Sequence, residues 1–529
     1  IPSSVLSTLT HEQTYTLEAE VYDSAQNKSG TATSTFTVDI SSPTFSLNGL
    51  SWGAVLNTAE SLTSGTVSWT TTGVEDGQLL TTNFDGQVYT SIVSNTSASL
   101  TLSSTVLNSL IDASTYTMTF NVSDAAGNPS NTLSTTFEVD FTSPVVQKVY
   151  SLTEDGTYKI DDQLTLVVEF SEPVTASLST TLLLETGEFD QQANYSAGSG
   201  TSSLTLIYTV QVGDQSPSLD YVGDDSLSSL EIKDLSGNTA LLTLPTPGTT
   251  NSLSDLSDLV IDGIKPTIVD ISPSWLDGEA QYNRYINIEE RAQSQTVSMT
   301  TLGVEDSQIA SMRVVLKNTE TVINSKTYTS TILSNQAGFS IPSADFAVYN
   351  HADEFELQVA ATDLAGNSSG WASIGYQADF SAPTIQSVYG YTINNDLTTE
   401  RTYRVGEVID INVRMSDTNT SSSCDCFTID FDLGGVIKTA NYNRDLSTSH
   451  IKVFSYLVQE GDVDLDGLSI PSGNVMNLGT GYLRDNAKNN SPQNTLTFPA
   501  GTNTNLARMT VNGVIPTLTI SSTSWGAYL

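Results

Sequence analysis

The chain has 529 residues, with 19 Lys and Arg against 59 Asp and Glu and a formal charge of −40. Such an acidic excess makes nucleic acid and anionic lipid surfaces poor partners, because binding them depends on neutralising negative charge. No run of eighteen apolar residues is present to span a membrane.

From the N-terminus onward, one pattern, Asp-x-(Ala/Ser)-(Gly/Gln/Lys)-Asn, recurs at Asp23–Asn27, Asp124–Asn128, Asp234–Asn238, Asp363–Asn367 and Asp485–Asn489. Each copy is followed by a strand-like run and then by (Asp/Asn)-x-x-x-Pro, ending at Pro43, Pro144, Pro266, Pro383 and Pro516. The prolines are spaced by single-domain lengths, so each interval can bury its own core. A two-part signature in five copies predicts a tandem array. The predicted division is a partial domain at 1–42, whole domains at 43–143, 144–265, 266–382 and 383–515, and the start of another at 516–529. On this reading the sequence is a window on a longer protein.

Two kinds of unit alternate. Type A (43–143 and 266–382) shares Thr-Val-Ser-(Trp/Met)-Thr-Thr-x-Gly-Val-Glu-Asp-(Gly/Ser)-Gln at 66–78 and 296–308, and has a short gap between motif and linker. Type B (144–265 and 383–515) shares Thr-Tyr-(Lys/Arg)-(Ile/Val) at 157–160 and 402–405, and the gap roughly doubles. Trp52, Trp275 and Trp525 sit at equivalent places near the starts of A units and are expected in core or interface packing.

Period-two runs such as Tyr116–Val122, Leu164–Phe170 and Phe355–Ala361, separated by Gly, Asn, Asp and Ser clusters, predict strands. Val106–Ile111 reads as a helical turn between sheets. Tyr15, Tyr116 and Phe355 each lie eight residues before the motif Asp, where an immunoglobulin-like sandwich places its tyrosine corner. Phe355 lacks the hydroxyl and can keep only the packing. The expected fold is all-β, a tandem array of immunoglobulin-like β-sandwich domains of two alternating repeat types. The Asp-x-Ala-Gly-Asn motif is then the turn before the last strand, its Gly and Asn supplying positive φ.

On these residues the chain resembles the tandem bacterial immunoglobulin-like domains of very large surface adhesins. The A units match an ending of Tyr, Asp-x-Ala-Gly-Asn and Val-Asp-x-x-x-Pro. The B units resemble a sister repeat through Phe170-Ser-Glu-Pro-Val174, Gly213-Asp214, Asp234-Leu-Ser-Gly-Asn238 and Ile261-Asp-Gly263. The second B unit departs, with Met415-Ser-Asp417 for Phe-Ser-Glu and Asn512 for the terminal Asp. The resemblance covers essentially the whole chain and implies an extracellular protein at a bacterial surface, or a secreted one.

In a seven-strand sandwich the turn before the last strand lies at the end where the chain enters, with the turn between the second and third strands and the preceding linker. Three acidic elements should therefore converge at each junction. For the first A unit they are Asp39, Glu75 with Asp76, and Asp124 with Asn128. For the first B unit they are Asp140, Glu172, and Asp234 with Asn238. The second A unit offers Asp262, Glu305 with Asp306, and Asp363 with Asn367. The second B unit offers Asp379, Asp417, and Asp485 with Asn489. Carboxylates forced together repel unless protonated or bridged by a cation. An oxygen-only set suits Ca²⁺, so interdomain calcium is expected, and the resemblance points the same way. Turn chemistry and solvation account for any single position equally well. The B units make the weaker case, since residues such as Leu241–Leu259 allow an added strand that would change which end faces the linker.

Asp462-Val-Asp-Leu-Asp-Gly467 opens like an EF-hand loop, but Gly473 stands where that loop needs Glu. It reads as a surface turn, as does its counterpart Asp214–Asp220. Cys424 and Cys426 are either a local disulfide or two thiols, and with three scattered histidines no zinc site is expected. No hydrolase, metalloprotease, phosphate-loop or dinucleotide motif is present, and acids that recur in every repeat suit architecture, not one active site. The leading expectation is a calcium-stabilised stalk whose partners are its own neighbouring repeats, adhesion to a host or biofilm ligand lying elsewhere. A self-assembling fibre, sheath or surface layer, and a carbohydrate-binding array of a secreted enzyme, are the alternatives.

Overall fold

Period-two alternation becomes sheet throughout. In Thr115–Asn121, Met118 and Phe120 enter the core while Thr115 and Thr117 face out, as the pleat requires. The computed structural model describes residues 1–275, 284–317, 319, 321–390, 399–471, 473–491, 495–500, 503–504 and 506–519. Trp525 lies outside them. The chain divides into two compact units, Ile1–Ile264 and Lys265–Leu529.

The first unit begins with an antiparallel pair, Thr14–Ala19 with Ala32–Thr37. A sandwich follows. Three strands (Thr44–Leu50, Gly65–Thr72, Ser97–Leu102) face five, ordered Val55–Asn57, Leu133–Asp140, Thr115–Asn121, Leu79–Phe84 and Gln87–Ile92. Trp52 and Trp69 are buried between them, Trp69 edge-on to Phe120 at 5.1 Å. The backbone amide of Ile111 donates to the Tyr116 hydroxyl at 3.0 Å, and that of Thr10 to Tyr15 at 3.1 Å, the corner expected from the sequence. The helical turn is Ser104–Leu107.

A second core follows, centred on Leu164, Leu166, Val168, Phe170, Leu204, Leu206 and Tyr208. Its long strand Gln163–Ala176 pairs with Val146–Ser151, Thr201–Thr209 and Ile232–Asp234, while Gly156–Lys159 runs parallel to Leu259–Asp262. Residues 241–258 form no strand. They hold the four-residue helix Leu253–Leu256, so the anticipated extra strand is absent. Gly263 N donates to Asp214 O at 2.6 Å, and a Cβ there would meet Gln211 O at 2.3 Å. Glycine is required to seal this corner.

The second unit repeats both themes. Three strands (Thr267–Pro273, Gln295–Leu302, Gln336–Ile341) accompany five, ordered Tyr285–Ile286, Ala372–Ala378, Glu354–Ala361, Ile309–Leu316 and Thr321–Thr331. Trp275 is buried. Phe355, lacking a hydroxyl, stacks on Tyr349 at 4.0 Å. The Tyr349 and Tyr376 hydroxyls bond to each other at 2.9 Å. The last core is built on Ile409, Ile411, Val413, Phe427, Phe431 and Phe454. Cys424 and Cys426 are joined as a disulfide.

Candidate metal centre

The repeated motif folds the same way in every copy. In Asp124–Asn128 the backbone and side-chain amides of Asn128 donate to the two oxygens of Asp124, at 2.7 and 2.8 Å. The same pair of bonds recurs in the Asp23, Asp234, Asp363 and Asp485 copies. Positive φ falls on the fourth residue alone, at Gln26, Gly127, Gly237, Gly366 and Lys488. The closing Asn does not share it, contrary to the sequence expectation. Its side chain curls back onto the Asp, which is its reason for being Asn.

That side chain also holds the linker. Asn128 Nδ2 donates to Asp39 O at 3.1 Å, Asn238 Nδ2 to Asp140 O at 2.9 Å, and Asn489 Nδ2 to Asp379 O at 2.9 Å. Where an A unit precedes a B unit, a further bond appears. The amide of Thr58 donates to Asn238 Oδ1 at 2.9 Å, and that of Ile288 to Asn489 Oδ1 at 3.0 Å. Thr58 and Ile288 open short helices with matching capping boxes, Asn57 with Glu60 and Asn287 with Glu290. Asn57 Nδ2 also reaches Ser236 O at 3.0 Å. Sequence reasoning missed these residues, although Asn-x-x-Glu in both A units was a readable signal. It missed a brace as well. Amides just beyond three linker acids donate to the equivalent residues His11, Asp112 and His351, at 3.3, 2.6 and 3.2 Å.

The carboxylates converge at two places among the described residues. Asp140, Glu172 and Asp234 each offer an oxygen within 4.8 Å of the others, and Asp379, Asp417 and Asp485 do the same. Both lie at B units, reversing the expectation that these were the weaker case. In the first B unit the long strand's register shifts between Glu169 and Val174, and Val174–Ala176 then pairs with Ile232–Asp234, so Glu172 and Asp234 meet beside the linker; in the second, Asp417 lies just past the strand Val408–Met415. Asp234 and Asp485 are buried.

The A-unit acids are arranged differently. Glu75 accepts from Ala125 N at 2.8 Å and Glu305 from Leu364 N at 2.9 Å, so each faces its motif. Asp76 and Asp306 do not join them, being engaged by Asn95 N at 2.7 Å and Ser334 N at 2.6 Å across another turn. Asp39 and Asp262 accept from amides two residues on, Ser41 and Ile264. Asp124 and Asp363 are buried against Asn128 and Asn367.

Electrostatics separates the two situations. Burial, reinforced by the charges of Asp140, Asp234 and Asp112, raises the Glu172 carboxyl above its ordinary range. Burial likewise raises Asp379, opposed by the Ser381 amide and by His351 3.3 Å away, with Asp417 adding. Asp485 is pushed up to about 6 by burial, with Asp379 and Asp417 adding and the donors of Asn489 opposing. At Asp124 burial acts in the same sense, yet the donors of Asn128 and neighbouring amides win and the carboxyl is lowered. Asp124 and Asp485 thus shift in opposite senses, because burial outweighs the motif's donors at Asp485, with Asp379 and Asp417 adding, and does not at Asp124. The crowded set is all hard oxygen, as Ca²⁺ prefers. The Asn238 and Asn489 side-chain oxygens accept Thr58 N and Ile288 N.

The EF-hand-like string is a satisfied turn. Asp462 accepts from Tyr456 Oη at 2.7 Å and Gln459 N at 2.8 Å and pairs with Lys438 at 2.8 Å. Asp214 repeats the first two bonds with Tyr208 and Gln211. No helix among the described residues is long and apolar enough to cross a membrane.

A family model described as bacterial Ig-like domain matches residues 47–141. Comparison with curated proteins gives no match. Among solved structures the chain is similar to a Ca²⁺-stabilised adhesin that helps an Antarctic bacterium reach out and bind ice. Identity is 18%, covering 89% of this chain and 99% of that one, with a TM-score of 0.34. A second likeness, to a structure bearing on host cell surface retention of a 1.5-MDa bacterial ice-binding adhesin, has 18% identity, coverage of 64% and 99%, and a TM-score of 0.30. A third, a tetra-tandem repeat in the extending region of a large adhesion protein, has 16% identity, coverage of 86% and 97%, and a TM-score of 0.24. The chain is a tandem array of immunoglobulin-like β-sandwiches, and its residues 47–141 match the bacterial Ig-like domain model.

Proposed function

We propose that the chain is an extender segment of a large bacterial cell-surface adhesin, its domains at 43–143, 144–265, 266–382 and 383–515 acting in series. Ca²⁺ is held by Asp140, Glu172 and Asp234 at one linker and by Asp379, Asp417 and Asp485 at another. The observation that carries this reading is the coincidence, twice over, of a three-carboxylate cluster with a backbone clasp on the same linker residue. Among the described residues Asp140, Glu172 and Asp234 form no ion pair with a basic side chain, so a divalent cation relieves a repulsion that the protein leaves standing. With the ion bound, the linker acid becomes a rigid part of the following domain. Without it, mutual repulsion loosens the linker.

The partners of such a segment are the neighbouring repeats of its own chain, and its place is outside the cell. Small-angle scattering and thermal unfolding of the 529-residue chain, in Ca²⁺ and in chelator, test the proposal. Expected are a lower melting temperature and a more flexible scattering profile on chelation. Indifference of both to calcium refutes it.

A further inference from the structure

A plain spacer has no use for a chemically elaborate sheet face, and one domain carries such a face. Residues 43–143 contain no lysine or arginine at all, whereas the sister A unit holds Arg284, Arg291, Arg313, Lys317 and Lys326. Both fold with the same strand order, so folding does not require these cations.

Three of the differences meet on the outer face of the five-stranded sheet. The register places Arg313 opposite Gln358 and Val315 opposite Glu356. In the sister domain the equivalent pair is Asn83 and Thr119, in contact at 3.4 Å. Trp371, four residues after the motif Asn, stands where the sister has Thr132. It is 44% exposed, while Trp52, Trp69 and Trp275 are buried.

These side chains hold one another in place. The Arg313 guanidinium lies 4.2 Å from the Trp371 ring centre, and its Nε donates to Gln358 Oε1 at 2.8 Å. Gln358 Nε2 donates to Glu356 Oε2 at 3.2 Å, and Lys317 Nζ lies 3.2 Å from Glu354 Oε2. Val315, only 3% exposed, floors a cavity of about 250 Å³ walled by Arg313, Lys317, Glu356 and Gln358. A neighbouring cavity of about 280 Å³ shares Lys317 and includes Glu354.

We infer that this face binds a neutral polysaccharide. Sugar hydroxyls both donate and accept, and the face alternates fixed donors (Arg313, Lys317, Gln358) with fixed acceptors (Glu356, Glu354) around an apolar floor. An exposed indole beside them offers flat apolar area to the C–H face of a sugar ring. Because the polar groups are already tied to each other, little side-chain freedom is lost on binding. Charge decides against the other polymers. The cations of the face are offset by Glu354 and Glu356, and a chain of −40 repels polyanions. The inference is independent of the calcium proposal, since no cluster acid lies on this face.

The test is native affinity electrophoresis of the full chain, in gels cast with hydroxyethylcellulose, laminarin, galactomannan or dextran, and with alginate as the polyanion. Retardation by at least one neutral polymer is expected, weakened tenfold or more in Trp371→Ala and in Arg313→Ala but unchanged in Asn83→Ala. Trp371 is exposed, so the melting temperature of Trp371→Ala should stay at the wild-type value, which separates lost binding from lost fold. Three results overturn the inference: no retardation by any neutral polymer, retardation by alginate alone that salt abolishes, or retardation that survives Trp371→Ala.

Discussion

Substituting Asn238 by alanine tests the clasp most directly. The side chain donates to Asp140 O at 2.9 Å and Asp234 Oδ2 at 2.8 Å, and accepts from Thr58 N at 2.9 Å. Each neutral bond is worth about 1 kcal/mol and the one to a buried carboxylate about 1.5 to 3 kcal/mol. Asp234 keeps the backbone amide of residue 238 at 2.8 Å, which argues for the lower end. The expected loss is therefore about 3.5 kcal/mol, or roughly 10 to 14 °C in the transition of the domain that contains it, at about 3 to 4 °C per kcal/mol. Differential scanning calorimetry of the full chain in calcium-free buffer is the assay, because the three bonds involve no ion. Asn128→Ala is the comparison, since its side chain makes the linker and motif bonds without a helix amide on its oxygen. If Asn238→Ala destabilises its domain no more than Asn128→Ala does, the helix-amide contact contributes nothing and the reasoning fails.

Glu172→Gln removes charge from a crowded set, so it should raise the melting temperature in chelator and shrink the gain on adding Ca²⁺; a larger calcium gain than wild type would contradict the cluster's role. The pH dependence has a definite sign. The Asp485 carboxyl sits at about 6 in the fold, above its unfolded value of about 3.9, so the folded state binds the extra proton. Stability from this group is fully present below about pH 4 and lost as pH rises through 6. Melting curves in calcium-free buffer should show that loss, and Asp485→Asn should remove it. Lys488, at φ 68° where three other copies have Gly, should stabilise its domain by about 1 kcal/mol when changed to Gly, read as a rise in denaturant midpoint. Gly237→Ala should do the reverse, because φ is 99° and the new Cβ meets Asn57 Nδ2 at 2.8 Å.

Much was legible without coordinates, for physical reasons. Strand periodicity, the aromatic residue eight positions before the motif Asp at Tyr15, Tyr116 and Phe355, and the paired signature are short-range patterns imposed by the pleat and by tight turns. They determined the fold class and the alternation of two repeat types. Tertiary structure alone decided what the acidic residues do. Asp76 and Asp306 are sequence neighbours of Glu75 and Glu305, yet each stands in the turn closed by Gln78 N on Glu75 O and Gln308 N on Glu305 O, and there it caps another turn through Asn95 N or Ser334 N. Glu172 reaches Asp234 across a register shift between Glu169 and Val174; Pro173 within it marks an irregularity, but which segment the strand then meets is a long-range matter. Among the described residues the carboxylates that meet do so at the B units, because convergence depends on distances between segments about a hundred residues apart, such as Asp140 and Asp234, and those are set only when the sheets have packed.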